Sequence, residues 1–206
     1  MRVAVLGATG KVGRLIVEQA VERGHEVVAL VRSPQAYAPP GQGAVEVRQA
    51  DVTKPESFPG LGDVDVVISA LGISTGDEPG TLLSGAKMLA GLPVRTLALG
   101  ALGSGTSAGA GGGMYQAIMK MVIGRQLPEK AAADTIALNG GATVFHAPDL
   151  QVGGISPGRR NIPLEKYPKP FWPPRVSRAT AAALMLDEAE RPTHGATILV
   201  PVGNAR

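Results

Sequence analysis

Apolar and polar positions along the chain fall into short blocks of two kinds. Val3–Leu6 is a continuous apolar run of strand length. Lys11–Arg23 repeats apolar side chains at helical spacing, with Val12, Leu15, Ile16 and Ala20 on one face. Gly24 supplies a helix stop. Val27–Val31 is apolar without alternation, as in a parallel strand covered on both faces. Ser33–Gly43, with Pro34, Pro39, Pro40, Gly41 and Gly43, reads as a loop, and Ala44–Arg48 alternates as a third strand. Val64–Ser69 predicts a fourth strand, Glu78–Leu92 a helix and Val94–Leu99 a fifth strand.

The run Gly100–Met114 is too rich in glycine for a regular element and reads as a mobile loop. Tyr115–Ile123 and Lys130–Leu138 carry helical patterns separated at Pro128. Ala142–His146 reads as a strand and Pro148–Pro174 as an irregular excursion holding Trp172. Ser177–Glu190 is a helix with Ser177 at its N-cap, and Ala196–Val200 is the last strand. This alternation predicts an α/β fold: a doubly wound parallel sheet with helices on both faces, as one domain over residues 1–206. The irregular C-terminal region would form the side that meets a substrate.

In such a sheet, ligands bind beyond the C-terminal ends of the strands. Gly7, Gly10 and Gly13 stand three residues apart between the first strand and the first helix. There Gly7 would make the tight turn, Gly10 would let backbone approach a phosphate, and Gly13 would let the helix pack closely. The positive end of the helix then favours a pyrophosphate. No G-x-x-x-x-G-K-[ST] sequence occurs, so a lysine-ended P-loop is excluded.

The second strand ends in Arg32 and Ser33, where a cofactor with a free ribose 2′-hydroxyl usually meets Asp or Glu. A guanidinium matches a 2′-phosphate in a bidentate way, so NADP is expected over NAD. Asp51 and Val52, after the third strand, stand where a carboxylate and a backbone N–H meet an adenine edge. Ala70, Leu71 and Gly72, after the fourth strand, are small enough for adenosine to lie close.

Composition narrows the picture. The chain is 44% apolar and 18% charged with a formal net charge of +3, which describes a globular protein rather than a disordered one. Aromatics make up 3% of residues and the basic side chains are scattered, which argues against nucleic-acid binding. The chain has no cysteine, so disulfides, thiolate metal sites and a cysteine nucleophile are excluded and a cytoplasmic location fits. No His/Asp/Glu cluster has metal-ligand spacing. No apolar run approaches the roughly 20 residues of a membrane span, so no membrane partner is expected. Val3–Leu6 is also too short for a signal peptide.

The segments VLGATGKVG, LVRSP, ADVTKPES and DVVISALG resemble the atypical short-chain dehydrogenase/reductases, in particular the NAD(P)H-binding, NmrA-like proteins and the biliverdin reductase B/flavin reductase type. The resemblance covers the first 100 residues or so and returns weakly at GGATVFHAPDLQVG and RVSRATAAALMLDEAE. It implies a Rossmann-type domain with NADP. Gly7, Thr9, Gly10, Lys11, Val12 and Gly13 would hold the pyrophosphate, Arg32 the 2′-phosphate, and Asp51 with Val52 would flank adenine.

Standard short-chain reductases carry a Tyr-x-x-x-Lys pair and a serine, which pass a proton to or from a carbonyl. Here Gln126 stands four residues before Lys130, and Tyr115 is five residues from Lys120, off its face. Gly100 and Ala101 take the serine positions, and Ser104 or Ser107 could substitute only if the loop folds back. The absence of this triad leaves two readings. In one, NADPH reduces a small conjugated acceptor, such as a flavin or quinone, that needs no protein acid. In the other, the chain is an NADP-binding redox sensor that acts through a protein partner without turnover. Epimerase or dehydratase chemistry is disfavoured by the missing pair. Lys130, which could hold the nicotinamide ribose, and His146, a strand-end donor, are the candidate catalytic residues, each set against a plain structural role. Phe171 and Trp172 could cover the substrate side or simply pack a surface loop.

Overall fold

The computed structural model describes residues 1–40, 45–73 and 78–203. In chain order it contains β1 (Arg2–Leu6), α1 (Gly13–Glu22), β2 (Glu26–Val31), β3 (Val45–Gln49), β4 (Val66–Ser69), α2 (Thr81–Ala90), β5 (Arg95–Ala101), α3 (Gly113–Ile123), α4 (Leu127–Asn139), β6 (Thr143–Ala147), β7 (Leu150–Gln151), β8 (Arg160–Pro163), β9 (Val176–Ser177), α5 (Arg178–Glu190) and β10 (Ile198–Val202). The third strand was expected from Ala44, and the loop before it through Gly43; residues 41–44 lie outside the described residues.

Eight strands form one sheet in the order β3-β2-β1-β4-β5-β6-β10-β8. All its pairings are parallel except β8 with β10. This is the expected Rossmann-like α/β fold. The strand order reverses between β1 and β4, which opens a crevice at their C-terminal ends.

The period of two along β1 explains the two cores. Val3 and Val5 join Ile16, Val17 and Ala20 of α1 and Met185 and Leu186 of α5 on one face. Ala4 and Leu6 join Val28, Leu30, Val52, Leu61, Val67 and Leu89 on the other. Ser177 caps α5 as expected, its Oγ accepting from the Thr180 N–H at 2.9 Å.

Three expectations are corrected. The segment Gly100–Met114 does not read in the structure as a free loop. β5 continues through Ala101, and Leu102, Ser104 and Ser107 beyond it are fully buried. Its glycines permit a series of tight turns, and Gly112 has φ +91° with its Cα against the Phe171 carbonyl. The excursion Pro148–Pro174 supplies β8, an antiparallel edge strand. It ends at Pro163, which an edge position tolerates. Pro128 does not separate the two helices. It lies in the first turn of α4, where the missing N–H breaks no intrahelical bond.

Glu188 ties the end of α5 to β5 and to the connection before β10. Its buried carboxylate accepts from Arg95 Nη2 at 2.9 Å, from Thr193 Oγ1 at 2.8 Å and from the His194 N–H at 2.9 Å. Burial alone pushes the Glu188 carboxyl up, but hydrogen bonds from His194 and Thr193 outweigh it and hold it below the ordinary value. A depressed carboxyl stabilises the fold above its unfolded value, near pH 4.3, and that contribution is lost as pH falls through the folded value. Glu188→Gln is expected to cost about 1–3 kcal/mol at neutral pH, because it removes the carboxylate that Arg95, Thr193 and His194 share, while Arg95 keeps the Glu188 and His194 carbonyls. It should also flatten the acid limb of stability against pH; urea unfolding of both proteins between pH 3 and 7 checks this.

Candidate functional site

The glycine turn after β1 is built by contacts that exclude side chains. Gly7 has φ +78°, and a Cβ there would lie 2.9 Å from the Ala70 carbonyl oxygen and 3.0 Å from the Leu71 nitrogen. The Gly10 N–H donates to the Gly7 carbonyl at 2.9 Å. A Cβ on Gly13 would lie 2.1 Å from that same oxygen, so only glycine lets α1 start there. Thr9, Gly10 and Lys11 are exposed, whereas Val12 turns into the core.

No side chain caps α1: Val12 stands at its N-cap, and no acidic residue lies in the first turn. The turn is therefore a backbone cradle beside an uncapped helix N-terminus, flanked by Lys11 and Arg14. A pyrophosphate fits this donor set.

The neighbouring predicted residues line the same crevice. Ala70 and Leu71 abut Gly7, and the Leu71 side chain reaches over α2, where Gly85 leaves it room. Gly72 is exposed beyond them. Val52 points into the second core with Leu61 and Val64, so only its backbone is left for a ligand. Asp51 makes a local turn: its Oδ1 accepts from the Thr53 N–H at 3.0 Å and Thr53 Oγ1 at 2.7 Å. The Thr53 hydroxyl, helped by the Thr53 N–H and the charges of Lys54 and Arg32, holds the Asp51 carboxyl below its usual range against partial burial.

Arg32 and Ser33 are exposed at the end of β2, with Gln49 Nε2 donating to the Arg32 carbonyl at 3.4 Å. Arg14 stands near this corner, close enough for its charge to oppose the rise that burial gives the Tyr37 hydroxyl. Sequence reasoning missed Arg14, although its place one residue after Gly13 was the available signal.

Deeper in, the ends of β4 and β5 meet α2 and α4 around a cavity of about 40 Å³ lined by Ser69, Leu71, Gly100, Lys130 and Asp134 among others. Lys130 is half-buried; burial lowers its ammonium pKa, against the charges of Asp134 and Glu129. Glu129 in turn accepts from the Leu82 N–H in the first turn of α2 at 2.9 Å, which locks α4 onto α2.

His146 does not open onto this cavity; it is fully buried. Its Nδ1 lies 2.6 Å from Ser107 Oγ. Its Nε2 is at ion-pair distance, 3.1 Å, from Asp134 Oδ2 but outside hydrogen-bonding alignment. Ser104 Oγ donates to the same Asp134 oxygen at 2.9 Å. A Cβ on Gly100 would lie 2.8 Å from His146 Cδ2 and 3.1 Å from Asp134 Oδ1, so the pair fills the space a residue larger than glycine would need.

Tyr115 is a core ring, edge-on to Trp172 at 5.6 Å between centroids. Its phenol is pushed up to about 12 by burial, then by the charges of Asp149 and Tyr167. Among the described residues, no group of three or more His, Asp or Glu is placed to hold a metal ion.

The cradle is most directly tested at Gly13. Gly13→Ala is expected to cost about 1–3 kcal/mol, the usual range for forcing an atom into filled space. Gly62→Ala, whose added Cβ would touch nothing, should change stability by less than about 0.5 kcal/mol. Urea unfolding of the two variants makes the comparison.

A family model described as NAD(P)H-binding matches residues 7–192. Shorter stretches match curated proteins. Over 71 residues the chain is 44% identical to the photosystem II assembly factor Ycf39 of Synechocystis, covering 34% of this chain and 22% of that protein. Over 78 residues it is 32% identical to the Bacillus subtilis protein YwnB, covering 38% of this chain and 35% of that one. The chain thus spans only about a fifth to a third of these relatives. Solved structures match over the whole chain. A candidate NADH-flavin reductase from Streptococcus pneumoniae superposes with a TM-score of 0.76 at 23% identity, covering 99% of this chain and 100% of that one. The anaerobilin reductase ChuY of Escherichia coli O157:H7 gives 0.77 at 19% identity, covering 100% and 98%. At these identities the structures speak for the fold. The family match runs from the glycine cradle into the segment after α5, and the chain belongs to the NAD(P)H-binding family.

Proposed function

We propose that this protein is an NADPH-dependent reductase of a small conjugated acceptor, such as a flavin or a quinone. The observation that carries the reading is the cradle of Gly7, Gly10 and Gly13, held against Ala70 and opening toward an exposed Arg32 and Ser33 with no carboxylate on the strand end. Gly7, Thr9, Gly10, Lys11, Val12 and Gly13 would hold the pyrophosphate through backbone. Arg32 and Ser33, with Arg14 nearby, would hold a 2′-phosphate. Asp51, Val52, Ala70, Leu71 and Gly72 would border the adenosine. When bound, the dinucleotide supplies the hydride.

The protein's own contribution is position and exclusion of water, because Tyr115 and His146 are buried in hydrogen-bonded or aromatic surroundings. Lys130, at the cavity between β4, β5 and α4, would hold the nicotinamide ribose. The likeness in fold to a candidate flavin reductase and to a bilin reductase supports a flat conjugated acceptor.

Arg32→Ala is expected to weaken NADPH binding about tenfold to a hundredfold, the worth of hydrogen bonds to a charged group, and to leave NADH nearly unchanged. Fluorescence titration with both nucleotides decides it; equal losses for the two would overturn the 2′-phosphate assignment. Absorbance at the nicotinamide band, with flavins and quinones added, then tests turnover. Tight NADPH binding that no acceptor oxidises would transfer the reading to an NADP-binding regulator acting through a protein partner.

Lys130→Met separates binding from stability. A lysine whose pKa is lowered in the fold binds fewer protons there than in the unfolded chain, so stability rises with pH. Lys130→Met should raise the unfolding midpoint at pH 7, with the gain shrinking as pH rises, and should weaken nucleotide binding. A lower midpoint with unchanged binding would return Lys130 to a structural role.

A further inference from the structure

One face of the molecule is apolar and is left uncovered by the described residues. Met114, Ile118, Met121 and Val122 recur at i, i+4, i+7 and i+8 along α3 and are all exposed, Met121 to 85% and Val122 to 70%. Beside them stand Phe171, 76% exposed, and Trp172, whose ring rests edge-on against Tyr115 of α3. Tyr115 packs with Leu102 and Val202, at the ends of β5 and β10, which fixes this face to the carboxyl edge of the sheet.

The charge around the face is predominantly positive. The segments 113–126 and 166–175 contain Lys120, Arg125, Lys166, Lys169 and Arg175, all exposed, and no Asp or Glu. The carboxylates beside it are Glu165 and Asp149, the latter 4.0 Å from Arg175.

We propose that this face docks on the surface of a lipid bilayer that carries anionic headgroups. A second copy of the chain is a poor occupant, because a two-fold interface would set the same five cations against themselves. A bilayer takes projecting Met, Ile, Val, Phe and Trp side chains without matching pockets. Its phosphates meet the surrounding Lys and Arg. Lying on a membrane asks less than crossing one: among the described residues, no helix is long and apolar enough to cross.

Trp172 is the only tryptophan in the chain and reports on the face directly. The test is flotation with phosphatidylcholine vesicles, with and without phosphatidylglycerol, together with Trp172 emission. Binding to the anionic vesicles, a shift of emission to shorter wavelength and loss of both at high salt are expected. Lys120→Ala should weaken partitioning about fivefold, the effect of one cation near an anionic surface. Met121→Asp should abolish it with the circular dichroism spectrum unchanged. Absence of flotation at low salt, or equal binding to neutral vesicles with no salt dependence, overturns the proposal. So does a concentration-dependent dimer, lost in Met121→Asp, from a protein that ignores vesicles. The readouts use no nucleotide, so their failure is distinct from failure of the reductase reading.

Discussion

The contact between the Gly7 carbonyl and the bare Cα of Gly13 sets the geometry of everything around the crevice. Both sides of it are backbone, so no rotamer can relieve it: the hypothetical Cβ would stand 2.1 Å from the oxygen. The contact decides where α1 begins and how it crosses β1. It therefore decides where Ile16, Val17 and Ala20 reach the sheet and where α5 can lie against α1. On its other side Gly7 touches Ala70 and Leu71, again through backbone. The first turn, the end of β4 and the start of α1 are thus held at fixed distance without a side chain between them. A crevice defined in this way keeps its width when the surface sequence varies, and it presents N–H groups rather than side chains.

The second constraint is polar and lies under β5. Asp134 of α4 and His146 of β6 meet over Gly100, steadied by Ser104 and Ser107 from the turn that follows β5. Three segments, residues 100–107, α4 and β6, are pinned at one place. A buried group of this kind is costly unless its partners are supplied, and here they are, save for the misaligned His146 Nε2. Lys130 stands one turn before Asp134, on the side of α4 that meets the cavity. Its charge is partly desolvated, which burdens the fold.

How much of this could be read in the sequence depended on how local each feature is. The parallel strands were legible because burial on both faces removes alternation from Val27–Val31 and Val3–Leu6 alike. The glycine turn was legible because its three glycines and their strand–helix context lie within a dozen residues. The helix still begins at Gly13 rather than Lys11, since the turn needs Lys11 and Val12. The stretch after β5 was misread because glycine content bears on helix and strand propensity, not on burial: Leu102, Ser104 and Ser107 are packed inside a chain of turns. β8 was hidden because four residues, RNIP, carry no period, and their place comes from pairing with β10 alone. The Asp134–His146 pair was out of reach because it depends on how α4 lies over β6. Its only trace in the sequence is the glycine at position 100.

The crevice and the apolar face are mechanically continuous. Trp172 rests on Tyr115, Tyr115 packs on Leu102, and Leu102 leads through Gly103 into Ser104 and Ser107. Those serines hold Asp134 and His146, and Asp134 sits one helical turn from Lys130. The links are packed rings, hydrogen bonds and the backbone between them. The phenol of Tyr115 is buried deeply enough to be kept protonated, so this path carries no change of charge at ordinary pH. What it can carry is position. The turn after β5 has Tyr115 packed on one side and Asp134, one helical turn from Lys130, on the other.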